Sequence, residues 1–207
     1  MSRRLFLLLV SCIILASCSL NHDNYDDNNA NGLPLPSYEI GDLYHNDTID
    51  GIVFFTTSAG AHGLMVSLDE AHLIWCTEPY LSYETGATNP REGWNNTNIV
   101  MSNFDLYRFP AIDWTMQKND WYVHGQIEAK HWYLPSKNEM KYLLTNIEAV
   151  NETLRSMGLT TMEDKTYWTS TETGTRAACS ARWSPPVILF NDSLKTNVYY
   201  VRAIRYF

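Results

Sequence analysis

Basic charge is scarce in this chain. Fifteen Lys and Arg stand against 23 Asp and Glu, giving a net charge of −8, and only 18% of residues are charged. An acidic domain repels phosphate backbones, which argues against nucleic acid as a partner and equally against sulfated polysaccharide. Hydrolase and protease signatures are missing as well. No G-x-S-x-G or H-E-x-x-H occurs, and the six His are scattered, so no catalysis and no cofactor are expected. Cysteine is sparse, and neither Cys76 nor Cys179 belongs to a ligand-spaced set, so no metal site is expected. After the first 17 residues no long apolar run occurs, which leaves no second stretch to hold a membrane.

What is present begins with an address. Arg3 and Arg4 precede an apolar run over residues 5–15, too short to span a bilayer and right for a secretory segment. Leu15-Ala16-Ser17-Cys18 follows and resembles a bacterial lipobox, which implies a signal peptide over residues 1–17 and a lipid (palmitate) on Cys18. Several acyl chains on that cysteine would anchor the protein, since one chain binds only marginally. Residues 18–37 are polar, acidic and poor in bulky apolar groups, and read as a tether. Such a chain reaches about 25 Å. Asp23, Asp26 and Asp27, close behind the lipidated cysteine, resemble the export tag of Bacteroidetes surface lipoproteins. The localisation expected is therefore the outer membrane, exposed at the cell surface.

Residues 38–207 are one domain's worth of chain. Losing Arg3 and Arg4 takes the net charge from −8 to −10. Aromatics are abundant, at 13% with seven Trp and thirteen Tyr, suited to irregular cores or to contact surfaces. Cys76 and Cys179 remain after processing. They either form one disulfide closing a loop of about 100 residues, nominally worth about 4–5 kcal/mol, or serve as two small buried groups.

Local pattern predicts strands first. Residues 52–57 are β-branched and aromatic, "SAGAHG" is turn chemistry, and residues 64–68 return as a second strand. Residues 73–76 read as another short strand. Residues 77–98 read as a long loop, of a kind usually functional or ordered on the surface. Residues 99–118 read as a helix through Phe104, Tyr107, Ile112 and Met116, with Pro110 in a first turn or at a break. Ser136 and Glu139 form a capping box after Pro135. Met140, Leu143, Leu144, Ile147, Val150, Leu154 and Met157 then share one helical stripe, with Gly158 as the stop and Asn146 or Asn151 as a place to split it. "YWTSTE", "ARW", "VILF" and "VYYVRAIRYF" read as the remaining strands.

Taken in order, "GIVFF", "HGLMVSL", "GATN", "GWNNT", "WYLPSKNEM", "YWTSTE" and the final "YYVRAIRYF" resemble the DUF1566 family, also described as the Lcl C-terminal domain and similar to the Fibrobacter major paralogous domain. The resemblance covers residues 51–207. It implies an α+β, C-type-lectin-like fold with two main helices, small antiparallel sheets and paired N- and C-terminal strands. Trp132, Leu134, Pro135 and Trp168 are expected in core and corner positions. Ser170, Thr171 and Glu172 are expected to satisfy buried backbone groups, with lining of a ligand site as the alternative. Arg202 and Arg205 are expected to point outward from Val201 and Ile204, with Glu139 or Glu172 as a carboxylate for Arg202.

Such a fold prompts a search for calcium. Glu78-Pro79 and Trp94-Asn95-Asn96 faintly resemble the lectin ligand motifs, but Tyr80 and Asn96 replace the needed Asn and Asp, and no acidic cluster surrounds them. Ligand contact is expected instead at Tyr80, Tyr83, Trp94, Arg176, Arg182 and Trp183, on the loop 80–95 and the segment 173–197, where Trp and Tyr can stack on sugars or anchor a protein. Asp47-Thr48-Ile49 and Asp192-Ser193-Leu194 resemble an O-glycosylation pattern. The expected function is non-catalytic binding of an extracellular glycan or protein, with a structural or accessory subunit of a surface assembly as the alternative.

Overall fold

The computed structural model describes residues 36–46, 49–119 and 131–207. The segment read as a signal, Cys18 and the acidic run lie outside the described residues, as do Asp47 and Thr48 of the first glycosylation pattern. The folded unit runs from Pro36 to Phe207. It therefore includes the last two residues read as tether, and Ser37 already donates its hydroxyl to the Ala59 carbonyl at 2.8 Å.

The expected hairpin is there. β2 (Ile49–Thr57) turns through a 3-10 segment at Ser58–Gly60 into β3 (His62–Val66). β1 (Leu43–Asn46) pairs with the outer edge of β2, and β9 (Ile204–Tyr206) with the outer edge of β3, so the four-stranded sheet runs β1-β2-β3-β9, all antiparallel. Residues 51–54 of β2 are buried without alternation, because both faces of this sheet are covered. Ile52 and Phe54 belong to one apolar cluster, while Met65 on the paired strand packs with Trp132 and Ala203 in another. The first and last strands share this sheet but occupy opposite edges, so they are not hydrogen-bonded to each other. Ring contacts join the two ends instead: Phe207 lies 5.3 Å from Tyr38 and 5.1 Å from Tyr44.

A second sheet of five strands runs β4-β8-β5-β6-β7, from β4 (Ala71–Ile74), β5 (Thr166–Gly174), β6 (Ala177–Ser184), β7 (Val187–Leu194) and β8 (Val198–Val201). Only the β5–β8 contact is parallel. The terminal "VYYVRAIRYF" is thus two strands in two sheets. Arg202 and Ala203 make the crossing.

Four α-helices occur among the described residues, where two main ones were expected. The segment read as one helix over 99–118 is α1 (Gly93–Asn103) and α2 (Pro110–Met116), separated by a 3-10 turn at Leu106–Arg108. Pro110 occupies the first turn of α2, where its missing N–H is harmless. The first six residues of α1, 93–98, lie inside the stretch read as loop. The capping box forms as expected at the start of α3 (Lys137–Thr145), and Asn146 separates it from α4 (Ile147–Ser156). Gly158, at φ +70°, ends the pair in the left-handed region that suits glycine.

α3 and α4 lay Met140, Leu143, Leu144, Ile147, Val150 and Leu154 against Ile52, Phe54, Leu64 and Val66. Met157, the last position of the stripe, stays 40% exposed beyond the helix end. α1 and α2 enclose a second cluster with Trp75, Phe109, Ile112, Leu134 and Trp168, and Trp94 touches both clusters. Trp132, Leu134, Pro135 and Trp168 are all buried, as expected. The β-branched and aromatic run of β2 and the helical stripe place these groups inside, and burial of each large side chain contributes about 1.5–3 kcal/mol.

Candidate functional site

Between Thr77 and Glu92 regular structure is limited to one 3-10 turn, Tyr80–Ser82. A long loop with buried polar groups needs partners from elsewhere, and this one has them. The Thr77 N–H donates to the Arg108 carbonyl at 2.8 Å. Glu172 Oε2 accepts from the Thr85 N–H at 2.8 Å, the Thr85 hydroxyl at 3.0 Å and the Gly86 N–H at 3.1 Å. Its Oε1 accepts from Lys195 Nζ at 2.5 Å, and both side chains are 1% exposed. Lys195 also donates to the carbonyls of Tyr83 at 2.8 Å and Thr175 at 2.9 Å, and lies over the Trp75 ring.

Asn96 braces the next turn. Its Oδ1 accepts from the Asn89 N–H at 2.8 Å, and its Nδ2 donates to the Asn89 carbonyl at 2.7 Å and to Ser170 Oγ at 3.1 Å. Both ends of this amide are used inside the fold, which is why Asn stands where a calcium motif would have Asp. Thr171 Oγ1 donates to the Asn89 carbonyl at 3.2 Å and accepts the Lys137 N–H at 3.0 Å. Ser170, Thr171 and Glu172 therefore take the bracing role and do not line an open site. Among the described residues no three of His, Cys, Asp and Glu converge as metal ligands.

Glu139 joins two helix starts. Oε2 accepts from the Ser136 N–H at 2.7 Å and the Gly93 N–H at 2.9 Å, while the Tyr133 hydroxyl donates to Oε1 at 2.8 Å. Burial pushes this carboxyl above its ordinary range, and the donors pull it part of the way back. Arg202 is the main correction. It is wholly buried, not outward, and its partner is neither Glu139 nor Glu172. Its Nε donates to Glu70 Oε2 at 3.2 Å, and its other nitrogens donate to the carbonyls of Ser67 at 2.8 Å and Thr160 at 2.6 Å. Lys165 and Tyr167 complete the surroundings of Glu70. Arg205 is half-buried, with its guanidinium 6.0 Å from the Trp132 ring centre.

Of the six expected contact residues, the structure brings two together. Tyr80 stacks on Phe109 at 5.5 Å and meets Phe104 edge-on at 5.3 Å. Tyr83 meets Tyr80 at 6.0 Å and Phe104 at 5.7 Å, and is 53% exposed. Tyr107, with the Arg108 guanidinium 4.9 Å from its ring centre, is 63% exposed. Sequence reasoning placed Phe104 and Tyr107 on a helical stripe and so missed them as surface rings. The remaining four are elsewhere. Trp94 packs against Tyr133. Trp183 packs half-buried against the first core, its indole N–H enclosed without a partner among the described residues, so no aromatic groove opens there. Arg176 is exposed in the β5–β6 turn, and Arg182 is exposed on β6, 3.8 Å from Asp164.

β7 forms an edge of the five-stranded sheet. It pairs with β6 in unbroken register from Ala177↔Leu194 to Ser184↔Val187. Ile188 and Phe190 face the first core, while Val187 and Leu189 are 50% and 44% exposed. Ser193 of the second glycosylation pattern is buried, and its hydroxyl is engaged with Ser180 at 2.8 Å. Cys76 and Cys179 are buried free thiols. Desolvation pushes Cys76 up to about 11 and raises Cys179 as well. Two open hollows, of about 630 and 300 Å³, involve none of the six residues; Tyr38, Ile40 and Thr56 line the first, and Asp50, Lys118 and Trp132 the second.

No family model matches the chain, and no curated protein does either. Among solved structures it is similar to a fimbrial protein from Bacteroides ovatus ATCC 8483, with a TM-score of 0.53 and 18% identity over 70% of this chain. The match spans 36% of that protein's length. At this identity the likeness concerns the fold. What is established is thus an α+β domain with two largely antiparallel sheets, and among the described residues no helix is long and apolar enough to cross a membrane.

Proposed function

We propose that this chain is an envelope lipoprotein, lipidated at Cys18 and displayed on the outer membrane, whose domain is a non-catalytic, C-type-lectin-like module of the DUF1566 kind. Its role is that of an accessory subunit in a surface assembly, held there by a protein partner. The observation that carries the reading is the β7 edge. Eight residues pair regularly with β6, with no bulge, and among the described residues no strand pairs on the other side. A strand edge of this length is a template for another strand, and proteins usually blunt such edges with bulges, lysines or shortness. Val187 and Leu189 add exposed apolar surface instead. The other terminal strands of the two sheets, β1, β4 and β9, have four, four and three residues. The likeness to a fimbrial protein is in keeping with this role.

A photo-crosslinking amino acid at position 189, in whole cells, tests it. The expected product is a discrete adduct with another exported protein, lost when Val187 and Asn191, exposed either side of the probe on the same strand, are both changed to Lys. The same probe at Tyr142, exposed on α3, gives no such adduct. No adduct at 189, or the same adduct at both positions, overturns the assembly role. Release of the protein from membranes by Cys18→Ser tests the anchor separately.

A further inference from the structure

The exposed rings beside the braced loop call for a ligand of a different kind from the β7 edge. Tyr83 and Tyr107 are the two most exposed aromatics among the described residues; Tyr107 lies in the 3-10 turn Leu106–Arg108 and Tyr83 caps the 3-10 turn Tyr80–Ser82, and the two stretches meet through the Thr77–Arg108 hydrogen bond and the Tyr83–Phe104 ring contact. Behind them the rings continue inward through Tyr80 and Phe104 to buried Phe109 and Trp75. The Tyr83 carbonyl is pinned by buried Lys195. The platform is therefore set before anything binds, which removes much of the ordering penalty of association.

The chemistry of the platform selects its occupant. Its outermost rings are tyrosines, with an apolar face and a hydroxyl, and the neighbouring Leu81 and Leu106 are partly buried. Ser82, Glu84 and Asp105 stand exposed beside them. The Arg108 Nε is enclosed without a partner among the described residues. Apolar ring faces bordered by hydroxyl and carboxylate acceptors match a sugar, which has a C–H face and a rim of hydroxyl donors. Exposed aliphatic anchors, which a protein partner would use, are absent from these two segments. Tyr83 and Tyr107 stand out from the surface, which suits a ligand lying along it as a chain. Glu84, Asp105 and the net charge of −8 select against acidic glycans.

We infer that Tyr83 and Tyr107 form a stacking site for a neutral, linear oligosaccharide. The site is independent of the assembly role: either can fail while the other stands. The test uses the full lipidated protein in detergent micelles with cellohexaose, mannohexaose, maltohexaose and, as the acidic comparison, hexagalacturonate, followed by calorimetry and saturation-transfer NMR. At least one neutral hexaose is expected to bind with a Kd below about 1 mM. Tyr83→Ala and Tyr107→Ala each weaken it roughly tenfold, about 1.4 kcal/mol. Tyr83→Phe keeps the ring and stays within about threefold. Tyr142→Ala, at an exposed tyrosine stacked on Phe55 elsewhere, changes nothing. The proposal is overturned if no neutral hexaose binds, if hexagalacturonate binds as tightly, or if Tyr83→Ala binds like the parent while remaining folded by thermal melting.

Discussion

Replacing Lys195 with Met tests what holds the loop at residues 77–92. Met fills much of the same space and cannot donate. In the parent, Lys195 Nζ serves Glu172 at 2.5 Å and the Tyr83 and Thr175 carbonyls at 2.8 and 2.9 Å. The variant leaves a carboxylate that is 1% exposed without its counter-charge. Removing one partner of a buried pair costs about 3–5 kcal/mol. Two carbonyls lose donors besides, but water entering the loosened loop offsets part of that loss. The working figure is about 4 kcal/mol, a large share of a domain stability of about 5–15 kcal/mol. With a urea slope of about 2 kcal/mol per M, the midpoint falls by about 2 M. Equilibrium urea unfolding followed by tryptophan fluorescence reads this directly. Adding Glu172→Gln to the Lys195→Met variant removes the stranded charge while keeping an acceptor for Thr85 and Gly86. The double change is expected to recover at least about 1.5 kcal/mol, a coupling typical of groups in contact. A loss below about 1 kcal/mol in the single variant, the range of surface pairs, would refute the reasoning. So would a double variant that is weaker by the sum of the two single changes.

Three further outcomes follow from the same geometry. Because Glu139 has a raised folded-state pKa, the folded protein holds that proton to higher pH than the unfolded chain; its contribution is full below about 4.5 and falls as pH rises through the folded value. Glu139→Gln is therefore expected to flatten the pH dependence of unfolding free energy above pH 4.5, and an unchanged slope counts against the assignment. Burial of Cys76 and Cys179 and their raised thiol pKa values predict slow reaction with Ellman's reagent at pH 8 in the folded protein and prompt reaction of both in guanidinium; prompt labelling of folded protein contradicts this. A Cβ on Gly93 would lie 2.4 Å from the Leu134 carbonyl and 2.6 Å from the Ser136 nitrogen, both backbone atoms that cannot swing aside, so Gly93→Ala is expected to cost about 1–3 kcal/mol, read as a lowered melting temperature.

What the sequence made legible is what short-range physics decides. The β2–β3 hairpin, the Ser136–Glu139 capping box and the break at Asn146 each rest on neighbours within a few residues. The first half of α1 was not legible, because Gly93, Asn95, Asn96, Thr97 and Asn98 are poor helix formers. Long-range bonds start that helix: Gly93 to Glu139, and Asn96 to Asn89 and Ser170. The same cause hid Lys195. It follows β7 in what reads as an ordinary polar turn, and nothing near it in sequence announces a buried carboxylate 23 residues back. Arg202 was misjudged because strand alternation alone assigns it a face, whereas the chain leaves one sheet at that residue and enters the other. Of the platform, Tyr80 and Tyr83 were legible as aromatics on an irregular loop. Phe104, Tyr107 and Arg108 were not, since their spacing imitates a helix that the turn at Leu106–Arg108 interrupts.

The placement of β8 and β9 bears on the order of events during export. Among the described residues β4 has no hydrogen-bonded neighbour strand except β8, and β3 has β9 as its second neighbour. If the chain is exported as proposed, entering a secretion channel by its amino end, neither sheet can be completed until residues 198–207 have come through, although β1-β2-β3 and β5-β6-β7 can pair before then. On that proposal the wiring of the sheets delays completion of the fold until delivery is over, and a stop codon just after Asn197 would leave a protein that travels but does not set.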